Sequence, residues 1–253
     1  LATVPAALVA YSLGQASTRS VEELAGRLLT QVAALVQSGT EGKLRLAHET
    51  LNGIFPERLT QADTQRARAW LRSPARFEPL AFALTRQSTD TPTLHFANLR
   101  GEYFGVEATA EGMKIAIREA TGSGRRHYLA EEPGDRGRAL PIDAANFEPR
   151  TTPWYSGAMQ AKDRMFTPVR VAAERRQLVV SLAQPVFDAD GGAAGVFATD
   201  LYLQSLNDEL RTQRISSHGA AFVIDERGLL VASSAGDPLF ETVDGRFERR
   251  GPQ

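Results

Sequence analysis

The hydrophobic pattern of this chain changes period once, near residue 93, and that single change limits the folds open to it. Before it, apolar residues recur at helical spacing. Val21, Leu24, Leu28 and Leu35 fall on one stripe, widened by Leu29, Val32 and Val36, the signature of an amphipathic helix. Leu44, Ala47, Leu51 and Ile54 make a second stripe out of register with the first, and Gly39 and Gly42 lie in the gap. A glycine inside a helix costs about 1 kcal/mol relative to alanine. Residues 18–55 are therefore predicted as one long helix with a kink or register shift near 38–42, or as two stacked helices. Residues 62–72 give a shorter helix that Ser73-Pro74 ends.

Beyond residue 93 the runs shorten and the period drops to two. "LHFANL", "EYFGVEAT", "MKIAIRE" and "RRHYLAEE" are separated by glycine-containing turns. Met113, Ile115 and Ile117 alternate with Lys114, Ala116 and Arg118, as in a strand with one face in a core. Connections this short imply antiparallel hairpins. "LVVSLAQPVF", the turn "DADGG" and "AAGVFATDLYL" form another hairpin, "QSLNDELRTQ" a helix with Leu206 and Leu210 on one face, and "AAFVIDERGLLVASS" a last hairpin. Helix first, then antiparallel strands with one helix before the last pair, is an α+β order and not a doubly wound parallel sheet. A two-stranded hairpin is not stable alone, so this last unit either is incomplete or leans on what precedes it.

Charge and chemistry narrow the function. With 29 Lys and Arg against 30 Asp and Glu, the net charge is −1, and no basic surface argues for nucleic acid. The chain has no cysteine, which excludes disulfides, thiolate metal sites and cysteine nucleophiles. The four histidines, His48, His95, His127 and His218, have no metal-ligand spacing. "DADGG" resembles the start of a calcium loop, but the position due a bidentate acid is Thr199, so a hairpin turn is the better reading. Asp163, Asp188, Asp190, Asp200 and Glu148 offer carboxylates, yet nothing in their spacing selects an acid–base pair. No enzymatic activity, cofactor or metal is expected. Residues 1–17 carry no charge and are shorter than the ~20 apolar residues of a membrane span. They are either the end of a spanning helix or an apolar segment packed on the domain.

One stretch stands apart, "FEPRTTPWYSGAM" at 147–159. Pro153 suits the first position of a helix, where its missing N–H is not needed, which puts Trp154 and Tyr155 in the first turn. Such a pair either closes a pocket, with flat walls plus an indole N–H and a phenol O–H, or anchors the helix to the sheet. The helix opening "R-x-x-P-W-Y" followed by Pro185, Val186, Asp188, Gly191, Gly195, Val196 and Asp200 resembles the double Cache sensor family. Its members are extracytoplasmic ligand-binding regions of bacterial chemoreceptors, histidine kinases and cyclases. The resemblance spans residues 20–235. It implies a helical stalk and connecting helix over 18–92, a membrane-distal PAS-like module over 93–213 that holds the ligand, and a membrane-proximal module beginning at 214. It also implies that Trp154 and Tyr155 line a pocket and that Asp200 faces a ligand ammonium. The family's amino-acid-binding members carry an arginine where this chain has Thr152 and a tyrosine where it has Val169. Threonine cannot clamp a carboxylate as a guanidinium does, and Arg150 and Arg170 are the nearby substitutes. The implied protein sits in a bacterial inner membrane with this region in the periplasm. It binds a small polar ligand, dimerises through the N-terminal helix and drives a cyclase or kinase sooner than a chemotaxis output. The alternative is a ligand-free dimerisation or protein-contact module.

Overall fold

The second apolar stripe builds the first element of the computed structural model, which describes residues 30, 33–34, 37–121, 124–141, 147–212, 220–236 and 238–252. Helix α1 runs over 37–52 without interruption, through Gly39 and Gly42. The chain therefore does not divide into two separate helices at 38–42. Burial outweighs the glycine cost, because Ala47 and Leu51 are fully buried and Leu44 packs against the same core. The first stripe, Val21 to Val36, and residues 1–17 lie outside the described residues.

Helix α2, Gln61–Arg72, opens on a capping box in which Thr60 and Asp63 satisfy each other's backbone N–H groups. Ser73-Pro74 ends it as expected, and Pro74 also begins α3, Pro74–Arg86. That helix is not predicted by the sequence pattern. Proline at the first helical position costs no hydrogen bond, so one dipeptide both stops α2 and starts α3.

Nine antiparallel strands follow as one sheet. They are β1 (Thr93–Asn98), β2 (Tyr103–Thr109), β3 (Gly112–Arg118), β4 (Arg126–Ala130), β5 (Arg138–Leu140), β6 (Met165–Phe166), β7 (Arg170–Ala172), β8 (Gln177–Phe187) and β9 (Ala193–Tyr202). The spatial order is β5-β4-β3-β2-β1-β9-β8-β6, with β7 also paired to β8. The long hairpin β8–β9 thus pairs with the first strand of the meander, Phe96 opposite Phe197. Helix α4, Pro153–Ala161, interrupts the strand series between β5 and β6, and α5, Gln204–Thr212, leaves β9 directly. Two hairpins complete the chain, β10 (Phe222–Ile224) with β11 (Leu230–Ser233) and β12 (Phe240–Val243) with β13 (Arg246–Arg249). The second of these is not predicted. The first leans on α5, where Asn207 Oδ1 accepts a hydrogen bond from the Ser233 N–H.

The sheet has two unlike faces. Helices α1 to α3 cover one of them with a large aromatic core around Phe77, whose ring lies 5.5 Å from Phe96 and 5.3 Å from Phe197. The other face carries α4 over Ala97, Ala116, Ala183 and Ala198, all buried. Small residues on β1, β3, β8 and β9 let α4 pack close on this face, and the site lies beside that helix, with Ala116 in its lining.

Candidate ligand-binding site

Helix α4 begins where a 3-10 turn, Pro149–Thr151, hands over to Pro153 through an extended Thr152. This entry drives Trp154 down onto the sheet. Its ring, 4% exposed, lies 4.8 Å from the imidazole of His95 on β1 and 6.5 Å from Tyr103 on β2. Beside it opens a cavity of about 290 Å³, near the lower end of the range for small-molecule sites.

Four of the six predicted residues meet there. Thr152, Trp154, Arg170 and Asp200 line the cavity, from the α4 entry, β7 and β9. Asp200 accepts a hydrogen bond from the Ser181 hydroxyl at Oδ1, and Arg170 Nη2 lies 3.4 Å from the same oxygen. Both contacts use Oδ1, and among the described residues no hydrogen bond engages Oδ2. The Asp200 backbone N–H donates to Thr93 Oγ1 at 2.7 Å, which fixes the strand at the point where the carboxylate leaves it.

The other two predicted residues are directed elsewhere. Arg150 Nε donates to Glu148 Oε1 at 2.7 Å, and its Nη1 reaches the Leu99 carbonyl at 3.1 Å. The hydrogen bond from Arg150 holds the Glu148 carboxyl down at about 2. Tyr155 is buried against the sheet beside Trp154, outside the cavity lining, and its hydroxyl has no hydrogen-bond partner among the described residues. Burial raises its pKa. Val169, where the family pattern has a tyrosine, packs against the large core.

The cavity also gathers residues that the sequence pattern does not single out. Lys114 on β3 and Arg125 before β4 supply cations, and Glu107 on β2 and Glu174 after β7 supply anions. With Arg170 and Asp200 the walls carry three charges of each sign. His95, Tyr103 and Tyr202 add rings. Alternation in "YFGVEAT" and "MKIAIRE" does mark Glu107 and Lys114 as lying off the core face, but a cavity-facing side and a water-facing side look the same in a period-two pattern.

His95 is a neutral wall. Burial pushes its pKa down to about 4, against the pull of Asp200. A histidine that is protonated at 6.5 when unfolded but only near 4 when folded binds fewer protons in the native state. Stability is therefore full above pH 6.5 and is lost as pH falls from about 6.5 to 4. The loss is expected to be roughly 3 kcal/mol. Urea unfolding at pH 7.5, 5.5 and 4, repeated on His95→Gln, checks this: the fall should be markedly shallower in the variant, and equal falls would place the proton uptake elsewhere.

No family model matches the chain. Among curated proteins it is 30% identical over 109 residues to the methyl-accepting chemotaxis protein PscA of Pseudomonas syringae, covering 43% of this chain and 17% of that protein. It is 30% identical over 87 residues to McpB of Bacillus subtilis, covering 34% and 12%. The chain thus spans less than a fifth of the length of these relatives. Among solved structures, the ligand-binding domain of the Campylobacter jejuni chemoreceptor Tlp3 in complex with L-valine superposes with a TM-score of 0.55 at 14% identity, covering 87% of this chain and 73% of that one. The same domain with 4-methylisoleucine gives 0.52 at 14% identity, over 82% and 67%. The long first helix, the antiparallel sheet, α4 on its open face and these superpositions together give the chain the double Cache fold of bacterial chemoreceptor sensor domains.

Proposed function

We propose that this chain is the extracytoplasmic sensor region of a bacterial transmembrane receptor and that it binds a small zwitterion between α4 and the sheet. The observation that carries the reading is the pairing of Asp200 with Arg170 on one cavity wall, 3.4 Å apart beside Trp154. A ligand that offers an ammonium to Asp200 and a carboxylate to Arg170 replaces one ion pair by two charge-assisted contacts. Balanced wall charge favours such a ligand over a dicarboxylate, which would leave carboxylates facing Glu107 and Glu174. The Tlp3 domain is solved with L-valine and with 4-methylisoleucine, which supports an amino-acid-like ligand here. In this reading Arg170 does from β7 what Thr152 cannot do from the α4 entry. The cavity volume weighs against the ligand-free alternative, which requires the chain's own side chains to fill the space.

Two connections lead from the site to α1. Helix α5 continues from β9, and Lys43 of α1 bonds Glu209 of α5 at 3.1 Å and Asp90 at 2.9 Å. Arg164, just after α4, donates to Asn52 Oδ1 of α1 at 2.7 Å and to Gln184 of β8 at 2.7 Å. These contacts support passage of the signal into α1; a homodimer along that helix and a membrane anchor beyond it complete the proposed receptor. A ligand shifts that equilibrium only by its difference in affinity for the two states. The names of the curated relatives favour a chemotaxis output over the cyclase or kinase that the sequence reading inclined towards.

A thermal-shift screen against L-amino acids, the matching decarboxylated amines, organic acids and sugars tests the reading. A ligand at 100 times its Kd should stabilise by about 2.7 kcal/mol, or roughly 5–10 °C for a chain of this size. In Arg170→Ala, binding of the zwitterion should weaken at least about ten-fold while the matching amine, which loses a repelling cation beside Asp200, binds no more weakly. Equal losses for both would remove the carboxylate role of Arg170, and a flat screen would favour the protein-contact alternative.

A further inference from the structure

We propose that the turn joining β7 to β8, residues 173–176, is a lid over the cavity, latched shut by ion pairs to the far side of the sheet. Among the described residues strand β7, three residues long, pairs in the sheet only with β8. Strand β13 packs against it from outside the sheet, with Arg176 of the turn 5.9 Å from the centre of the Phe247 ring, so the turn reaches the cavity from one edge. Two consecutive side chains then reach across to wall residues, and Glu174 itself lines the cavity. Glu174 bonds Arg125 Nη2 at 2.7 Å and Lys114 Nζ at 3.3 Å. Arg175 takes the opposite polarity: its Nε donates to Glu107 Oε1 at 2.7 Å, its Nη2 donates to the Ala108 carbonyl at 2.8 Å, and its guanidinium lies 4.5 Å from the centre of the Tyr202 ring. Lys114, Arg125, Glu107 and Tyr202 all line the cavity, so the latch closes on the walls of the site and not on neighbouring surface.

Three features make this a movable cover in preference to a fixed wall. The tethers are polar. The side chain of Glu174 is 46% exposed and that of Arg175 28% exposed, so water and salt compete for both. The turn also contains Arg176 at φ 51°, a left-handed backbone that non-glycine residues adopt sparingly, so the turn's own backbone preference does little to hold it down. Finally, Arg170 stands at the base of the same hairpin against Asp200, so lifting the turn would also open the wall that the zwitterion reading assigns to the ligand. A role in ligand entry rests on that reading; the latch itself does not.

Trp154 under the lid reports on it without any ligand. In a Trp70→Phe background, acrylamide quenching of the remaining tryptophan measures access to the cavity. Quenching is expected to rise with sodium chloride between 20 mM and 1 M. In Glu174→Gln/Arg175→Gln it should be about five-fold higher at low salt and no longer salt-dependent, with the melting temperature little changed. Equal quenching in both proteins, at both salt concentrations, would overturn the lid. Hydrogen exchange of residues 170–177 in the otherwise unaltered chain gives a second reading should Trp70→Phe unsettle the core: exchange should quicken in the glutamine variant, and unchanged exchange counts against the latch. Calorimetry with L-valine separates the two claims. Faster quenching without valine binding keeps the lid and removes L-valine from the zwitterion reading, whereas valine binding with unaltered quenching does the reverse.

Discussion

Replacing Asp200 with alanine is expected to weaken binding of the zwitterion by about 2–4 kcal/mol, roughly 30- to 1000-fold in Kd, with little change in fold stability. The carboxylate is largely enclosed, its side chain 14% exposed, so water cannot replace it beside a ligand ammonium. Removing it also leaves the Arg170 guanidinium without its partner on that wall, which raises the cost of seating any cation. The backbone tie from the Asp200 N–H to Thr93 Oγ1 survives the substitution, so β9 keeps its place. Asp200→Asn is the finer test, because it retains a hydrogen-bond acceptor for Ser181 while removing the charge. Titration calorimetry on both variants, with the zwitterion found by the screen, decides the point. An unchanged Kd in both would remove Asp200 from the site, and a loss in alanine alone would make its role one of shape and hydrogen bonding.

The sheet and the end of α1 were legible because burial there follows one period at a time. Leu44, Ala47, Leu51 and Ile54 all turn inward or pack on the core, and β3 sets Met113 and Ile115 to the helical side with Lys114 opposite. Helix α3 was hidden because Pro74 reads as a stop signal, while the same residue is also a favoured start. The site divides along similar lines. Trp154 carries a local signal, an aromatic at a helix entry, whereas Asp200 is marked only by the family resemblance. Glu107, Lys114, Arg125 and Glu174 come from four separate segments, and no local spacing relates them. Arg150 and Arg170 were equal candidates in sequence. Only the fold separates them, because Glu148 captures Arg150 two residues away while β7 turns Arg170 to Asp200.

Replacing Trp154 with alanine is expected to cost about 3–5 kcal/mol of stability, a fall of roughly 6–20 °C in melting temperature for a chain of this size. The indole is buried and packs on His95 at 4.8 Å and Tyr155 at 5.7 Å, and α4 has few other large side chains facing the sheet. Stability alone does not say whether Trp154 is a pocket wall or a helix anchor, since both roles predict that loss. A matched change on the opposite face of the sheet separates them. Phe77 is fully buried among Trp70, Phe96 and Phe197, and Phe77→Ala should cost a similar 3–5 kcal/mol. It does not line the cavity. Measured well below both melting temperatures, zwitterion binding should be lost in Trp154→Ala and retained in Phe77→Ala. Equal binding in the two would make Trp154 an anchor only, and the flat wall of the site would then fall to Tyr103 and Tyr202.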